Sequence, residues 1–420
     1  MSEHVETVIV GGGQAGLAVS YHLSQQGRPH TILEQASQPA EAWRNRRWDS
    51  FTLVTPNWML RMPGAEYQGD DPEGFMPREE VVAYLEDYIE RFRLPIQYGV
   101  RVNSVEKNGT GYLVHTDEAT VEADNVVIAT GLFQQPNIPA FSANLPAEVQ
   151  QLHSSEYRNP AALPPGAVLV VGSAQSGAQI AEELYQSGRQ VYLCVGASGR
   201  GPRHFRGKYI TWRLNKTGWD VTVDKLPSPK AKFAASVQAS GKDGGHTINL
   251  HQFARDGVVL LGRMQAAQGG KITLAPDLKE NLAKVDKFEA DLLKRIDDYI
   301  EKNGLDVPQE TLPKLRDGYH AEVVTELDVQ SAGITSVIWA TGYRFDFGLV
   351  KLSVLDGDGY PIQKRGITDK PGLYFVGLPW LHTAKSGLLF GVGDDAAHIV
   401  ADIAGKKRND GSQAQSYLWG

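Results

Sequence analysis

Apolar residues follow three different rhythms along this chain. Near the N-terminus, residues 5–10 form a short apolar run, residues 15–26 carry apolar positions at helical spacing after a glycine turn, and HTILEQ at 30–35 is a second apolar run. Short runs bounded by glycine read as buried parallel strands, so the three predict a strand–helix–strand unit. REEVVAYLEDYIERF at 78–92 predicts a helix from the same 3.6-residue period. From 100 to 131 the pattern alternates and turns at Asn108-Gly109, which predicts antiparallel strands. PAALPPG at 160–166 predicts a linker, and a second strand–helix–strand unit starts at Ala167. Residues 279–304 predict a long amphipathic helix with Leu282, Val285, Leu292, Ile296 and Tyr299 on one stripe. A stripe packed on a core is the simpler reading; a membrane or partner helix is the other.

The two units repeat each other. A shift of 161 residues overlays Gly11 on Gly172, Gln14 on Gln175, Gly16 on Gly177 and Gly27 on Gly188. A shorter echo links NVVIATG, ending at Gly131, with SVIWATG, ending at Gly342. The first loop, VIVGGGQAG, spaces Gly11, Gly13 and Gly16 as a dinucleotide needs: one glycine for the tight turn, one for approach of the backbone to a pyrophosphate, one for close helix packing. Gln14 and Ala15 open the helix, whose free N–H groups face the phosphates. Glu34, followed by Gln35, lies eighteen residues past Gly16, where a carboxylate accepts hydrogen bonds from ribose hydroxyls.

The second loop is altered. Gly172, Ser173, Gln175, Ser176 and Gly177 keep the frame, but Ala174 replaces the middle glycine, which predicts a slightly shifted grip. Eighteen residues past Gly177 stands Val195 instead of an acid, and GASGRGPRHFRGK follows with several basic residues. Arginine suits a 2′-phosphate that a carboxylate would repel, so Arg200 or Arg203 is expected to select NADP(H) over NAD(H). A solvated basic loop is the alternative.

Composition narrows the classes. The 420 residues suffice for two or three domains, and 41% apolar with 22% charged residues fits a soluble globular chain. A net charge of −7 disfavours nucleic acid and anionic membrane as partners, and no apolar run reaches spanning length. The N-terminus lacks a secretory pattern, which predicts a cytoplasmic protein. The one cysteine, Cys194, excludes a disulfide framework.

With these motifs in order along nearly its whole length, the chain resembles flavin-dependent monooxygenases that bind FAD and NADPH, the group of flavin-containing monooxygenases and plant YUCCA enzymes. The resemblance implies an α/β fold of two Rossmann-like domains, an NADPH domain at 161–335 inserted into a discontinuous FAD domain at 1–160 and 336–420. It places FAD on the first loop, with Trp43 and Arg44 along it and the Val102 backbone at the adenine. Thr130 and Gly131, with Thr341 and Gly342, resemble the crossings between domains. The C-terminal segment, with Gly377 and a helix expected to open near Ser386, Gly387 and Leu388, would close over the flavin and aim N–H groups at it. His153 and Tyr157 match the HxxxY half of the family's signature, whereas Ala147 and Val149 break its first half. The implied reaction is oxygenation of a small organic molecule by NADPH and O2 through a flavin C4a-(hydro)peroxide, with no metal; a homodimer is allowed.

Asn57, in TPNWML, is the expected catalytic residue, its neutral amide able to hydrogen-bond substrate or peroxide; a turn-former after Pro56 is the other reading. The runner-up function is an NADPH-dependent reductase serving a quinone or protein acceptor, and a third is a flavin-bound sensor. Disulfide reductases need a cysteine pair that this chain lacks. DGDGYP at 356–361 reads as a hairpin turn, and the histidines show no metal spacing. Phe205, Tyr209, Trp212 and Trp219 fit either a substrate lid or ordinary packing.

Overall fold

The computed structural model describes residues 3–234 and 237–405; residues 1, 2 and 406–420 of the expected domain segments lie outside the described residues. The chain starts with β1 (Glu3–Val10), α1 (Gln14–Gln25) and β2 (His30–Glu34). After α2 (Arg78–Phe92) come β3 (Ile96–Tyr98), β4 (Val102–Asn108), β5 (Gly111–Thr116) and β6 (Thr120–Ile128). A second series contains β7 (Gln150–His153), β8 (Ala167–Val171), α3 (Gln175–Gln186), β9 (Val191–Cys194), β10 (Val259–Leu261), α4 (Leu278–Lys302) and β11 (Ile334–Trp339). The chain then adds β12 (Gln363–Lys364), β13 (Ile367–Thr368), β14 (Leu373–Phe375) and α5 (Val392–Gly405).

These strands form two large sheets. The first has the order β12-β13-β14-β6-β1-β2-β3, with β4 and β5 attached to β6 as an antiparallel meander. The second is wholly parallel, in the order β7-β11-β8-β9-β10. Parallel sheets need both faces covered. On the first sheet α1, α2 and α5 bury Leu17, Leu85, Ile399 and their neighbours on one side, while Tyr112, Phe347 and Tyr360 fill the other. On the second, α3 and α4 contribute Ile180, Leu184 and Leu282 to one core, and Trp339 and Ile272 lie in the opposite one.

Helix α2 has the expected bounds, and α4 buries Leu282, Val285, Leu292 and Ile296 of its predicted stripe, with Tyr299 half-buried. At about 1.5–3 kcal/mol for each fully buried aliphatic side chain, that stripe outweighs the helix's modest intrinsic stability. Two expectations need correction. The divisions at 160/161 and 335/336 cut the second sheet, because β7 pairs with β11 and β11 runs on to Trp339. The helix expected near Ser386 begins at Val392. Before it, the N–H groups of Ser386, Leu388 and Gly391 reach carbonyls only three residues back, and Val392 makes the first four-residue bond, to Leu388. A Cβ at Gly391 would collide with the Lys385 carbonyl, so the chain packs there too tightly for a regular helix.

The connections between the sheets lie side by side. Tyr343–Arg344 pairs antiparallel with Gln135–Pro136. The Asn137 N–H donates to the Gly342 carbonyl at 2.9 Å, and its side chain donates to the Thr341 carbonyl at 3.2 Å.

Candidate functional site

The two glycine loops superpose in chemistry as well as spacing. At Gly11 the φ of +110° is open to glycine, and a Cβ there would stand 2.6 Å from the Ala129 carbonyl oxygen; its N–H donates to Leu33. Gly172 has φ +106°, its Cβ would stand 2.5 Å from the Ala340 carbonyl oxygen, and its N–H donates to Cys194. Side chains at Gly16 and Gly177 would collide with the carbonyls of Gly11 and Gly172. Each ATG segment therefore backs one loop, through Ala129 and Thr130 at the first and Ala340 at the second, with Gly131, Thr341 and Gly342 next in sequence.

Each loop delivers a bare helix start. Gly13 precedes α1 and Ala174 precedes α3; neither helix has a capping side chain or an acid in its first turn. Their unpaired N–H groups and positive dipole ends could hold a pyrophosphate. Ala174 has φ −68° and ψ −175°, close to the −79° and 179° of Gly13, so the substituted alanine keeps the backbone of the first loop. A Cβ at Gly13 would meet nothing within 4 Å, which leaves the space beside it for a ligand. Glu34, at the end of β2, accepts from the N–H of Gly12 at 2.7 Å and of Ala36 at 2.8 Å. Each oxygen keeps a further lone pair for ribose hydroxyls. Gln35 beside it is exposed. In the second loop Ser173 takes the place of Gly12; its Oγ accepts from Gly196, and its carbonyl accepts from the fully buried Gln238. Gln175 and Ser176, half-buried, open α3.

The two candidate arginines have different surroundings. Arg200 is buried and turned to α4, where Asp286 and Glu289 meet its Nη2 at 2.8 and 2.6 Å. These carboxylates neutralise it, which corrects its expected place as a phosphate ligand. Arg203 is 3% exposed and has no carboxylate. Its Nη1 donates to the Val54 carbonyl at 2.7 Å, its guanidinium lies 3.9 Å from the Phe75 ring centre, and Nε and Nη2 have no partner. Burial pushes it down to about 10. Sequence reading missed Asp286 and Glu289; their three-residue spacing beside Leu282 and Val285 on α4 was the available signal.

Residues 43–57 lie between the units. Trp43 packs on Phe51 at 5.9 Å, and Arg44 pairs with Glu86 at 2.6 Å. Trp48 belongs to the core under α3. Glu183 on α3 accepts from Ser50 at 2.6 Å and from the buried Tyr157 hydroxyl at 2.7 Å. That clamp joins the units and was not foreseen. Asn57 opens a short 3-10 turn after Pro56, so the turn-forming reading holds. It is also 5% exposed, with Nδ2 donating to Asp71 and Oδ1 left without a partner.

The C-terminal turns reach the first loop. Gln14 donates to the Gly387 carbonyl at 2.8 Å, and a Cβ at Gly377 would collide with Ala15. Ser386, fully buried, accepts from the N–H groups of His382 and Thr383 at 3.0 Å, and Leu388 is half-buried. With Asp394 and Asp395 in the first turn of α5, its positive end is already compensated, unlike those of α1 and α3. Val102 opens β4, half-buried beside the first sheet's core.

The remaining candidates have the following surroundings. His153 is fully buried at the crossing; Nε2 donates to the Gly342 carbonyl at 3.0 Å, and burial holds the imidazole below its ordinary value. Cys194 is buried in β9, its thiol pushed up to about 12. Phe205 packs with Leu292 and Ile296, and Tyr209 stands edge-on to Phe75. Trp219 stands edge-on to Phe390. The 356–361 segment is a turn, with the Asp356 N–H donating to Tyr360. Among the described residues, no group of three His, Cys, Asp or Glu could hold a metal, and no helix is long and apolar enough to cross a membrane.

The family model for pyridine nucleotide-disulphide oxidoreductases matches residues 8–244. An uncharacterised CzcO-like oxidoreductase of Geobacillus kaustophilus is 34% identical, across 96% of this chain and 99% of its own length. A probable indole-3-pyruvate monooxygenase, YUCCA3 of Arabidopsis thaliana, is 26% identical over 97% of this chain and 88% of its own. Among solved structures, a flavin-containing monooxygenase from Stenotrophomonas maltophilia shares the fold with a TM-score of 0.66 at 20% identity, covering 96% of this chain and 98% of that one.

Proposed function

Because the chain belongs to the pyridine nucleotide-disulphide oxidoreductase family and is an NADPH-dependent flavin oxidoreductase, we propose that it is a monooxygenase of a small organic substrate. The carrying observation is a pair of bare helix starts in a chain whose sole cysteine is buried. Reduction of a disulfide through a protein dithiol needs a reactive cysteine pair, so this reading sends the electrons of NADPH to O2, in line with the relatives named as monooxygenases.

In this reading the first loop holds FAD and the second, in a unit inserted between the two parts of the first, holds NADPH. The bound flavin supplies the electron transfer and the activation of O2. The protein supplies the rest. The N–H groups of α1 and α3 position the pyrophosphates, and Glu34 accepts from the FAD ribose. The free donors of Arg203 hold the 2′-phosphate. Asn57 presents Oδ1 as a buried acceptor beside the reacting groups, in a wall that keeps water out. The balance is substrate, NADPH, a proton and O2 in; oxygenated product, NADP+ and water out.

The test is turnover under 18O2 with three probes: indole-3-pyruvate, thioanisole and N,N-dimethylaniline. We expect 18O in the product of at least one, with one NADPH consumed per product. NADPH oxidation supported by a quinone, with no 18O in any product, overturns the reading. Asn57→Ala should retain FAD and divert NADPH oxidation to hydrogen peroxide; unchanged product yield and peroxide release remove Asn57 from the site.

A further inference from the structure

The second glycine loop rests on a hairpin from farther along the chain. Gln238, fully buried, donates through Nε2 to the Ser173 carbonyl, and its backbone N–H donates to the Gly199 carbonyl at 2.8 Å. The chain then turns back on itself, with Ser240 bridged antiparallel to His246. At the tip Asp243, Gly244 and Gly245 take φ of +53°, +79° and +83°. The hairpin is wedged between the units. A Cβ at Gly241 would collide with the Leu53 carbonyl, and one at Gly245 would stand 2.6 Å from Arg203 Nε and 2.7 Å from the Phe75 ring.

Two side-chain contacts tie the hairpin to α3. Gln179 donates to the Ala239 carbonyl at 2.5 Å, and His246 Nε2 lies 2.8 Å from Glu182 Oε1. Glu182 is 5% exposed, and no other hydrogen-bond donor among the described residues reaches its carboxylate. The second ring nitrogen of His246, Nδ1, faces the Lys242 carbonyl at 3.3 Å. Both nitrogens therefore face acceptors. A neutral imidazole donates from only one nitrogen, so the imidazolium alone satisfies both. The Glu182 hydrogen bond, working against burial, raises the imidazole above its ordinary value of 6.5, and Asp243 on the hairpin adds to it. Arg203, held against Gly245, is the cation on the opposite side, while Lys242 turns its ammonium to Gln186 at 3.4 Å.

We propose that His246 and Glu182 are positioning residues for the second dinucleotide: their ion pair latches the hairpin to α3, the hairpin holds the Ser173 carbonyl through Gln238, and the latch loosens when His246 loses its proton. The contribution of the latch is complete below the ordinary histidine value and is lost as pH rises through the higher value of the folded chain. Loosening lets the second glycine loop drift and weakens its grip on a pyrophosphate, while the first loop is untouched. The inference rests on the reading that the second loop holds NADPH and goes beyond it.

The FAD-loaded full chain is titrated calorimetrically with NADP+ at pH 7.0 and 9.0 at constant ionic strength. A 2′-phosphate, with a second pKa of about 6, keeps its charge across this range. We expect Kd to rise about three- to fivefold between the two. His246→Gln keeps a donor to Glu182 but cannot be charged, and should give the weaker value at both. Glu182→Gln should do the same. His246→Lys, charged throughout, should give the tighter value at both, with FAD content unchanged in all three variants. Equal Kd at the two pH values, or a His246→Gln variant that keeps the rise, overturns the proposal and leaves the second-loop reading standing. Absence of NADP+ binding to the unsubstituted chain overturns both.

Discussion

Gly13 and Gly16 stand three residues apart and respond differently to a side chain. A Cβ at Gly16 would drive α1 off the Gly11 turn, so Gly16→Ala should lower the melting temperature sharply. A Cβ at Gly13 meets open space, so Gly13→Ala should fold normally and hold FAD more weakly without losing it, as Ala174 stands at the same place in the second loop, read by circular dichroism and flavin absorbance during dilution. The arginines divide in the same way. Arg203→Gln removes donors to an anion, each charge-assisted bond contributing about 1.5–3 kcal/mol, so KM for NADPH should rise tenfold or more while KM for NADH barely changes. Arg200→Gln should instead destabilise the fold, by somewhat less than the ~3–5 kcal/mol of a fully buried pair because Asp286 and Glu289 keep some solvent contact, with KM for NADPH unchanged. The glycines were legible in the sequence because a turn's backbone demand is local. The fates of Arg200 and Arg203 were not, since their partners arrive from α4 and from residues 54 and 75, far along the chain.

At the scale of elements, the helices that follow the glycine loops differ at their starts from the other long helices. Helix α2 begins with Glu79 and Glu80 and α5 with Asp394 and Asp395, whereas α1 and α3 begin without acid. Placing one at the opening of α3, Gln175→Glu, opposes a phosphate by roughly 0.3–2 kcal/mol. KM for NADPH should rise about two- to thirty-fold with FAD content intact; a parallel loss of FAD would show that the loops do not have separate ligands. Helices with an unbroken apolar period, α2 and α4, were readable to within a residue or two. The start of α5 was not, because the apolar pattern continues through 386–391 while close backbone contact at Gly391 keeps that stretch in tight turns.

For the molecule as a whole, buried histidines set the response to acid. Burial holds His22, His30, His153 and His251 below the ordinary value of 6.5. Below about pH 6.5 the unfolded chain takes up protons that the folded chain refuses, so stability falls with pH from there until the folded-state values are passed. His246, raised by Glu182, acts in the opposite sense but is partly exposed. Thermal melts should therefore show a lower melting temperature at pH 5.5 than at 7.5, and His153→Gln should reduce that difference. The two-unit plan was legible from the 161-residue repeat. The sheet boundaries were not, since β7 and β11 join the second sheet by pairing across some 180 residues. Their neighbours, 135–136 and 343–344, form the ribbon that joins the units. It is not the only tie: Glu183 holds Ser50 and Tyr157, and Arg203 holds the Val54 carbonyl, so a rotation of one unit against the other has to break these hydrogen bonds as well as twist the ribbon.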